Sequence, residues 1–131
     1  TLLGEYLECF GVPRQTVVVK EDDECDFLAI LITGKAEVFK IQDGIPTTIQ
    51  EISPGEIIGV MSFIDQQKRF ASCITIEPSD FAVLTREGLN AMLADHPRLG
   101  NKFLLVLLGL TASRLRRATS TLLPGLNTLN V

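Results

Sequence analysis

The chain has 131 residues, of which 46% are hydrophobic and 21% charged, a size and composition typical of one globular domain. Its formal net charge is −4, and it contains one Tyr and no Trp. We therefore expect neither binding along a nucleic-acid backbone, which needs clustered Lys and Arg, nor an aromatic platform that stacks on bases.

Short segments of alternating or continuous hydrophobicity fill the first two thirds of the chain. The spacing of hydrophobic residues from 2 to 10, which ends at Gly11 and Pro13, predicts a short amphipathic N-terminal helix. Asp43 and Gly44 predict a tight hairpin, because both positions accept a positive φ. Six β-branched or hydrophobic segments predict strands, at residues 16–20, 27–33, 35–41, 47–52, 73–78 and 81–85.

The hydrophobic pattern changes to a helical period after Thr85. Thr85 is a suitable N-cap for a first helix with one hydrophobic face, and Pro97 ends that helix. Residues 98–123 predict a long second helix, hydrophobic nearly all round in its middle, with a basic end that complements the helix dipole. Gly125 marks the end of the tail.

Strands that precede helices along the chain indicate an α+β fold. We predict a single domain over residues 1–131, with an antiparallel β-roll or jelly-roll barrel over about 14–85. Two C-terminal helices are expected over about 86–121, in addition to the short N-terminal helix.

Nothing in the chain predicts catalysis or a metal site. The three cysteines, Cys9, Cys25 and Cys73, lie far apart without a C-x-x-C pair, so we expect reduced thiols and a cytoplasmic protein. His96 is the single histidine, and the acidic run at 21–26 lacks the spacing of a calcium loop. The hydrophobic residues near the C-terminus form too short a run for a membrane span of about 20 residues. We therefore expect a non-enzymatic protein without metal or cofactor.

Three motifs follow one another in an order and at a spacing that together indicate a protein family. They are EDDECDFLAILITGKAEVF at residues 21–39, with Gly34 in a hairpin, PGEIIG at 54–59 and KRFAS at 68–72. Over about residues 12–120 the chain resembles the cyclic nucleotide-binding domains of the catabolite-activator and protein-kinase-A regulatory type. The resemblance implies a β-roll that binds cAMP or cGMP and signals through its C-terminal helix.

The resemblance also implies which residues contact the ligand. Gly59 would bring the backbone close to it, and the amides of Met61, Ser62 and Phe63 would point at a phosphate from the start of a short helix. Arg69 would pair with phosphate oxygens through its planar guanidinium group. Three further candidates belong to the same cassette: Val60, Phe70 and Ser72.

The cassette departs from the family pattern at Val60. The family has a glutamate there that accepts a hydrogen bond from the ribose 2′-hydroxyl, a bond worth about 1.5–3 kcal/mol. Lys68 and Phe70 replace a proline and a small residue. Two hypotheses therefore stand. Either the domain is a regulatory sensor of a small anionic ligand, with a cyclic nucleotide expected, or the fold is kept as a structural and dimerisation module that binds no nucleotide.

The hydrophobic surface of the long C-terminal helix predicts a contact with another part of the protein or with a second copy of the chain. A helix that is hydrophobic all round is normally covered all round, and the resembled family often dimerises through this helix. We expect a homodimer, with cover by flanking sequence as the alternative. An effector is expected outside these residues, since no helix-turn-helix follows Arg117.

Overall fold

The computed structural model describes residues 2–24 and 26–122. A 3-10 helix at Leu3–Tyr6 comes first, and helix α1 (Val60–Asp65) lies between two strands late in the roll. Helices α2 (Arg86–Asp95) and α3 (Pro97–Leu122) follow the strands. The strands are β1 Glu8–Val12, β2 Val17–Val19, β3 Phe27–Thr33, β4 Ala36–Gln42, β5 Ile45–Ile52, β6 Ile57–Ile58, β7 Ser72–Thr75 and β8 Ser79–Thr85.

The strands form two four-stranded sheets in which each described pairing is antiparallel. One sheet has the order β1-β8-β3-β6, and the other has the order β2-β7-β4-β5. The β4–β5 hairpin turns at Asp43 and Gly44, whose φ angles of 53° and 78° are both positive, as the sequence predicted. The predicted α+β class, an antiparallel roll followed by two helices, is confirmed.

Two hydrophobic clusters hold these layers together. Strand β3 contributes to both, with Leu28 in one cluster and Ala29 and Leu31 in the other, because successive side chains point to opposite faces. The first cluster joins α1, α2 and α3 to β3, β6 and β8, and the second draws on both sheets. Helix α1 is therefore packed on the same core as α3.

The prediction of an N-terminal helix was wrong beyond its first turn. Residues Leu3–Tyr6 are helical, but Glu8–Val12 form β1, which pairs with β8 along its whole length. A helix this short is marginal by itself, whereas pairing with β8 supplies an acceptor and donor for each backbone group on that edge. The roll therefore starts at residue 8 and not at about 14. The two-residue strand β6 was also not predicted.

Helix α2 begins where the sequence predicted, and α3 begins one residue before its predicted start at 98. Thr85 Oγ1 accepts a hydrogen bond from the Gly88 amide at 3.0 Å, so it caps α2. Pro97 opens α3, a position where its missing N–H costs nothing. Gly125 lies outside the described residues. Among the helices that the structure describes, none is long and apolar enough to cross a membrane.

Candidate functional site

Gly59, helix α1, the loop after it and the first residue of β7 form a cassette, defined here as residues 59–72. Gly59 enters the helix with φ 84°, a left-handed conformation that favours glycine. The Phe63 amide donates to the Gly59 carbonyl at 3.1 Å. The Phe63 amide is therefore bonded within α1. The expectation that it points at a phosphate does not fit this hydrogen bond. The N–H groups of the first three helical residues have no acceptor within a helix.

Arg69 is a buried residue that points towards the start of α1. Its side chain is 3% exposed, and Nη2 donates to the Phe27 carbonyl at 2.6 Å. Nη1 donates to the Gly59 carbonyl at 3.4 Å, and the guanidinium carbon lies 4.7 Å from the centre of the Phe27 ring. The structure therefore holds a cation against the backbone of the cassette, because the arginine side chain stays charged at any ordinary pH.

A cavity of about 300 Å³ lies beside the cassette. Its lining contains three cationic side chains, two carboxylates, an amide, a hydroxyl, a thioether and an aromatic ring, from Asp22, Lys40, Met61, Ser62, Asp65, Gln67, Lys68, Arg69 and Phe70. Cationic side chains and a hydroxyl suit a phosphate ester, since both donate hydrogen bonds to its oxygens. The size and lining of the cavity are compatible with a small anionic ligand.

Four of the seven residues predicted to contact the ligand line this cavity, namely Met61, Ser62, Arg69 and Phe70. Phe70 is 58% exposed. The assignment of these residues as ligand contacts stays a prediction.

The other three predicted residues lie beside the cavity and do not line it. Val60 is 2% exposed and packs in the core with Phe63. The Ser72 hydroxyl accepts a hydrogen bond from the Glu21 amide at 2.9 Å. Gly59 contacts the Arg69 guanidinium. If these residues act in binding, they do so by shaping the backbone that surrounds the ligand.

Lys40 lines the cavity and was not predicted. Its Nζ lies 2.8 Å from Glu21 Oε1, donates to the Phe70 carbonyl at 2.9 Å and sits 4.0 Å from the centre of the Phe70 ring. The sequence does carry a signal for it. Ala36, Val38 and Lys40 share one face of β4, and Ala36 is fully buried. A lysine that continues a half-buried face is a candidate for a fixed partner or a ligand contact.

The cassette is tied to the C-terminal helices from two sides. Phe63 of α1 packs in one cluster with Phe103 and Leu107 of α3. Arg114 of α3 donates from Nη2 to the Ile57 carbonyl at 3.0 Å, two residues before Gly59. Arg86 of α2 donates to the Phe63 carbonyl. A displacement of the cassette would therefore change the contacts that hold α3.

The described residues place neither a metal centre nor a cysteine thiol in the lining of this cavity. Within the described part of the chain, no group of three His, Cys, Asp or Glu side chains could hold a metal ion. Cys73 is buried in β7, and burial raises the pKa of its thiol to about 12. A neutral, buried thiol acts as a small core residue.

An antiparallel roll with a short helix after a left-handed glycine, and a buried arginine at that helix, defines a cyclic nucleotide-binding type of fold. The comparison with protein families agrees, because the model described as "Cyclic nucleotide-binding domain" matches residues 11–96. The chain belongs to this family.

Relatives and solved structures extend the match over most of the chain. A cyclic nucleotide-binding domain from Methylobacillus flagellatus KT is 40% identical with a TM-score of 0.84, covering 92% of this chain and 68% of that chain. The Thermus thermophilus catabolite activator protein is 30% identical with a TM-score of 0.79, covering 92% and 55%. The CRP-like cAMP-activated global transcriptional regulator of Mycobacterium tuberculosis is 30% identical over 121 residues, 92% of this chain and 52% of that protein. The chain spans about half the length of the curated relatives it matches.

Proposed function

We propose that this domain is a regulatory sensor that binds a small anionic ligand, a cyclic nucleotide such as cAMP or cGMP, in the cavity beside the cassette. The observation that carries the proposal is the inward position of Arg69, 3% exposed and bonded to the cassette backbone at Gly59. The names of the relatives support the ligand class, since one is called cAMP-activated and another a cyclic AMP receptor.

The chemistry of the cavity supports a ligand with a phosphodiester. Arg69 and Lys68 contribute positive charge to the lining, and Ser62, whose hydroxyl donates to the Lys68 carbonyl at 3.3 Å, lines the same cavity. A phosphodiester is a single negative charge spread over two oxygens, which arginine can engage with parallel N–H groups. The amides at the start of α1 add donors to the same side. These groups recognise the phosphate and leave the base and sugar to the remaining lining.

The proposed signal passes from the cassette to α3. A ligand shifts a conformational equilibrium only by its difference in affinity for the two states. Phe63 packs in one hydrophobic cluster with Leu107 of α3, and Arg114 of α3 donates to the Ile57 carbonyl. A ligand that moves the cassette therefore favours a different position of α3 on the roll. The effector that reads α3 lies in another domain or partner, and the proposed role is regulatory and not enzymatic.

A homodimer through α3 is part of the same proposal. Several hydrophobic side chains of α3 face outward, with Leu105 66%, Leu108 56% and Leu115 67% exposed. Exposed apolar area of this kind marks interaction sites. Sedimentation should give a dimer for the wild type and a monomer for Leu108→Glu, whereas Asn101→Glu on the same helix should stay dimeric. A monomeric wild type would remove the dimer from the proposal.

Calorimetry and thermal melting with cAMP, cGMP and a cyclic dinucleotide test the binding. Ligand at about 100 times its Kd should stabilise the fold by about 2.7 kcal/mol and raise Tm. Arg69→Lys, which keeps the charge and loses the planar fork, should weaken binding at least tenfold, at about 1.4 kcal/mol per tenfold change. The exposed Arg98→Lys is its control.

The contradicting result is equally plain. If no heat and no shift in melting appear at millimolar concentration of any of these nucleotides, the sensor proposal fails. The domain would then be the structural and dimerisation module. The comparisons with known proteins do not support that alternative.

A further inference from the structure

Lys40 lies on β4, outside the cassette, and places a positive charge in the lining of the cavity. It lies on the face of β4 that begins with the fully buried Ala36, and its side chain is 28% exposed. Three contacts hold its ammonium group: Glu21, the Phe70 carbonyl and the Phe70 ring. This is a positioned cation and not a mobile surface lysine.

Glu21, the ion-pair partner of Lys40, is also half-buried. Its side chain is 22% exposed, and its amide donates to the Ser72 hydroxyl at 2.9 Å. Water and salt screen such a half-buried pair less than a surface pair. A second ion pair joins Lys35, just before β4, to Glu51 of β5, with side chains 38% and 52% exposed, and neither residue lines the cavity.

We propose that Lys40 contacts the bound ligand directly and that Glu21 competes with the ligand's phosphate for the Lys40 ammonium. This inference rests on the proposed function and adds to it a second anion-binding residue and an internal competitor. The step is an exchange of non-covalent partners, in which a phosphate oxygen replaces a carboxylate oxygen. The recognised ligand is a compact phosphate ester whose charge lies between Lys40 and the cassette.

The balance of charge in the lining favours this role. The lining holds three cationic side chains, Lys40, Lys68 and Arg69, against two carboxylates, Asp22 and Asp65. Without Lys40 the two signs would be equal in number. Lys40 therefore gives the lining its excess positive charge, and Glu21 neutralises Lys40 in the absence of ligand.

Calorimetric titration with cAMP and with cGMP tests the inference on the wild type and two variants. Lys40→Met should bind about tenfold more weakly or worse, because a hydrogen bond to a charged group is lost. Glu21→Gln should bind several-fold more tightly, since it releases the ammonium while keeping a similar shape. Lys35→Met and Glu51→Gln are matched controls, drawn from the pair outside the cavity, and should bind like the wild type.

Each outcome separates this inference from the proposal it rests on. A wild type that binds, together with Lys40→Met binding equally well, overturns the role of Lys40 and leaves the sensor proposal standing. Weaker or unchanged binding by Glu21→Gln overturns the competition, and this variant decides the matter if Lys40→Met does not fold. No binding by either the wild type or Glu21→Gln overturns both proposals.

Discussion

The guanidinium of Arg69 lies against Gly59, with Nη1 donating to the Gly59 carbonyl and filling the space that a Cβ at this position would need. Gly59 therefore serves two purposes. It adopts a φ of 84°, and it leaves room for the cation. The backbone of the cassette and the placement of Arg69 depend on one another, so a change at either residue should disturb both.

Gly59→Ala should destabilise the domain more than Gly55→Ala. Gly55 has a φ of 92° and open space where a Cβ would lie, so its substitution reports the left-handed strain alone, about 1–2 kcal/mol. Gly59→Ala adds the overlap with Arg69. Urea denaturation of the two variants gives the difference. An equal loss for both would mean that Arg69 does not need the space at Gly59.

Arg114→Met should loosen α3 from the roll. The variant loses the hydrogen bond to the Ile57 carbonyl, worth about 0.5–1.5 kcal/mol, and amide exchange in α3 should quicken. Arg116, exposed on the same helix, supplies the control, because Arg116→Met should change stability by less than about 0.5 kcal/mol. Identical exchange in the two variants would show that the Arg114 contact does not hold α3.

Cys73 should resist alkylation in the folded protein at mildly alkaline pH. Its thiol is buried, and its pKa is raised to about 12 by that burial, so the reactive thiolate is scarce below that pH. The exposed Cys9 on β1 should react under the same conditions. Peptide mapping by mass spectrometry after iodoacetamide treatment measures both sites. Equal labelling of Cys9 and Cys73 without denaturant would contradict the burial of β7.

Most of the fold could be predicted because its signals are local. A continuous hydrophobic run identified β3, and alternating hydrophobicity identified β4. Asp43 and Gly44 identified the β4–β5 hairpin, and Thr85 identified the start of α2. Each of these depends on a few consecutive residues. Strand β1 could not be found this way, since its pairing with β8 joins residues some seventy positions apart, such as Glu8 and Val83.

Only part of the candidate site could be predicted, because its other contacts join residues that are far apart in the sequence. The resemblance identified Arg69 and the start of α1, but Lys40 meets the cassette at Phe70, 30 positions further along the chain. The alternation along β4 places Lys40 on the face of Ala36, but no local pattern reports that its partner is Phe70. The sequence also could not show that Val60 faces the core and that Ser72 bonds to Glu21, because both depend on how the cassette packs.

The central claim, that a cyclic nucleotide binds beside the cassette, is tested most directly by NMR titration of the ¹⁵N-labelled domain with cAMP. We expect saturable shifts of the Met61 and Ser62 amides and of the Arg69 side-chain Nε resonance, with smaller shifts along α3. The absence of any saturable shift at millimolar cAMP, or shifts confined to residues away from the cavity such as β1, would contradict the account.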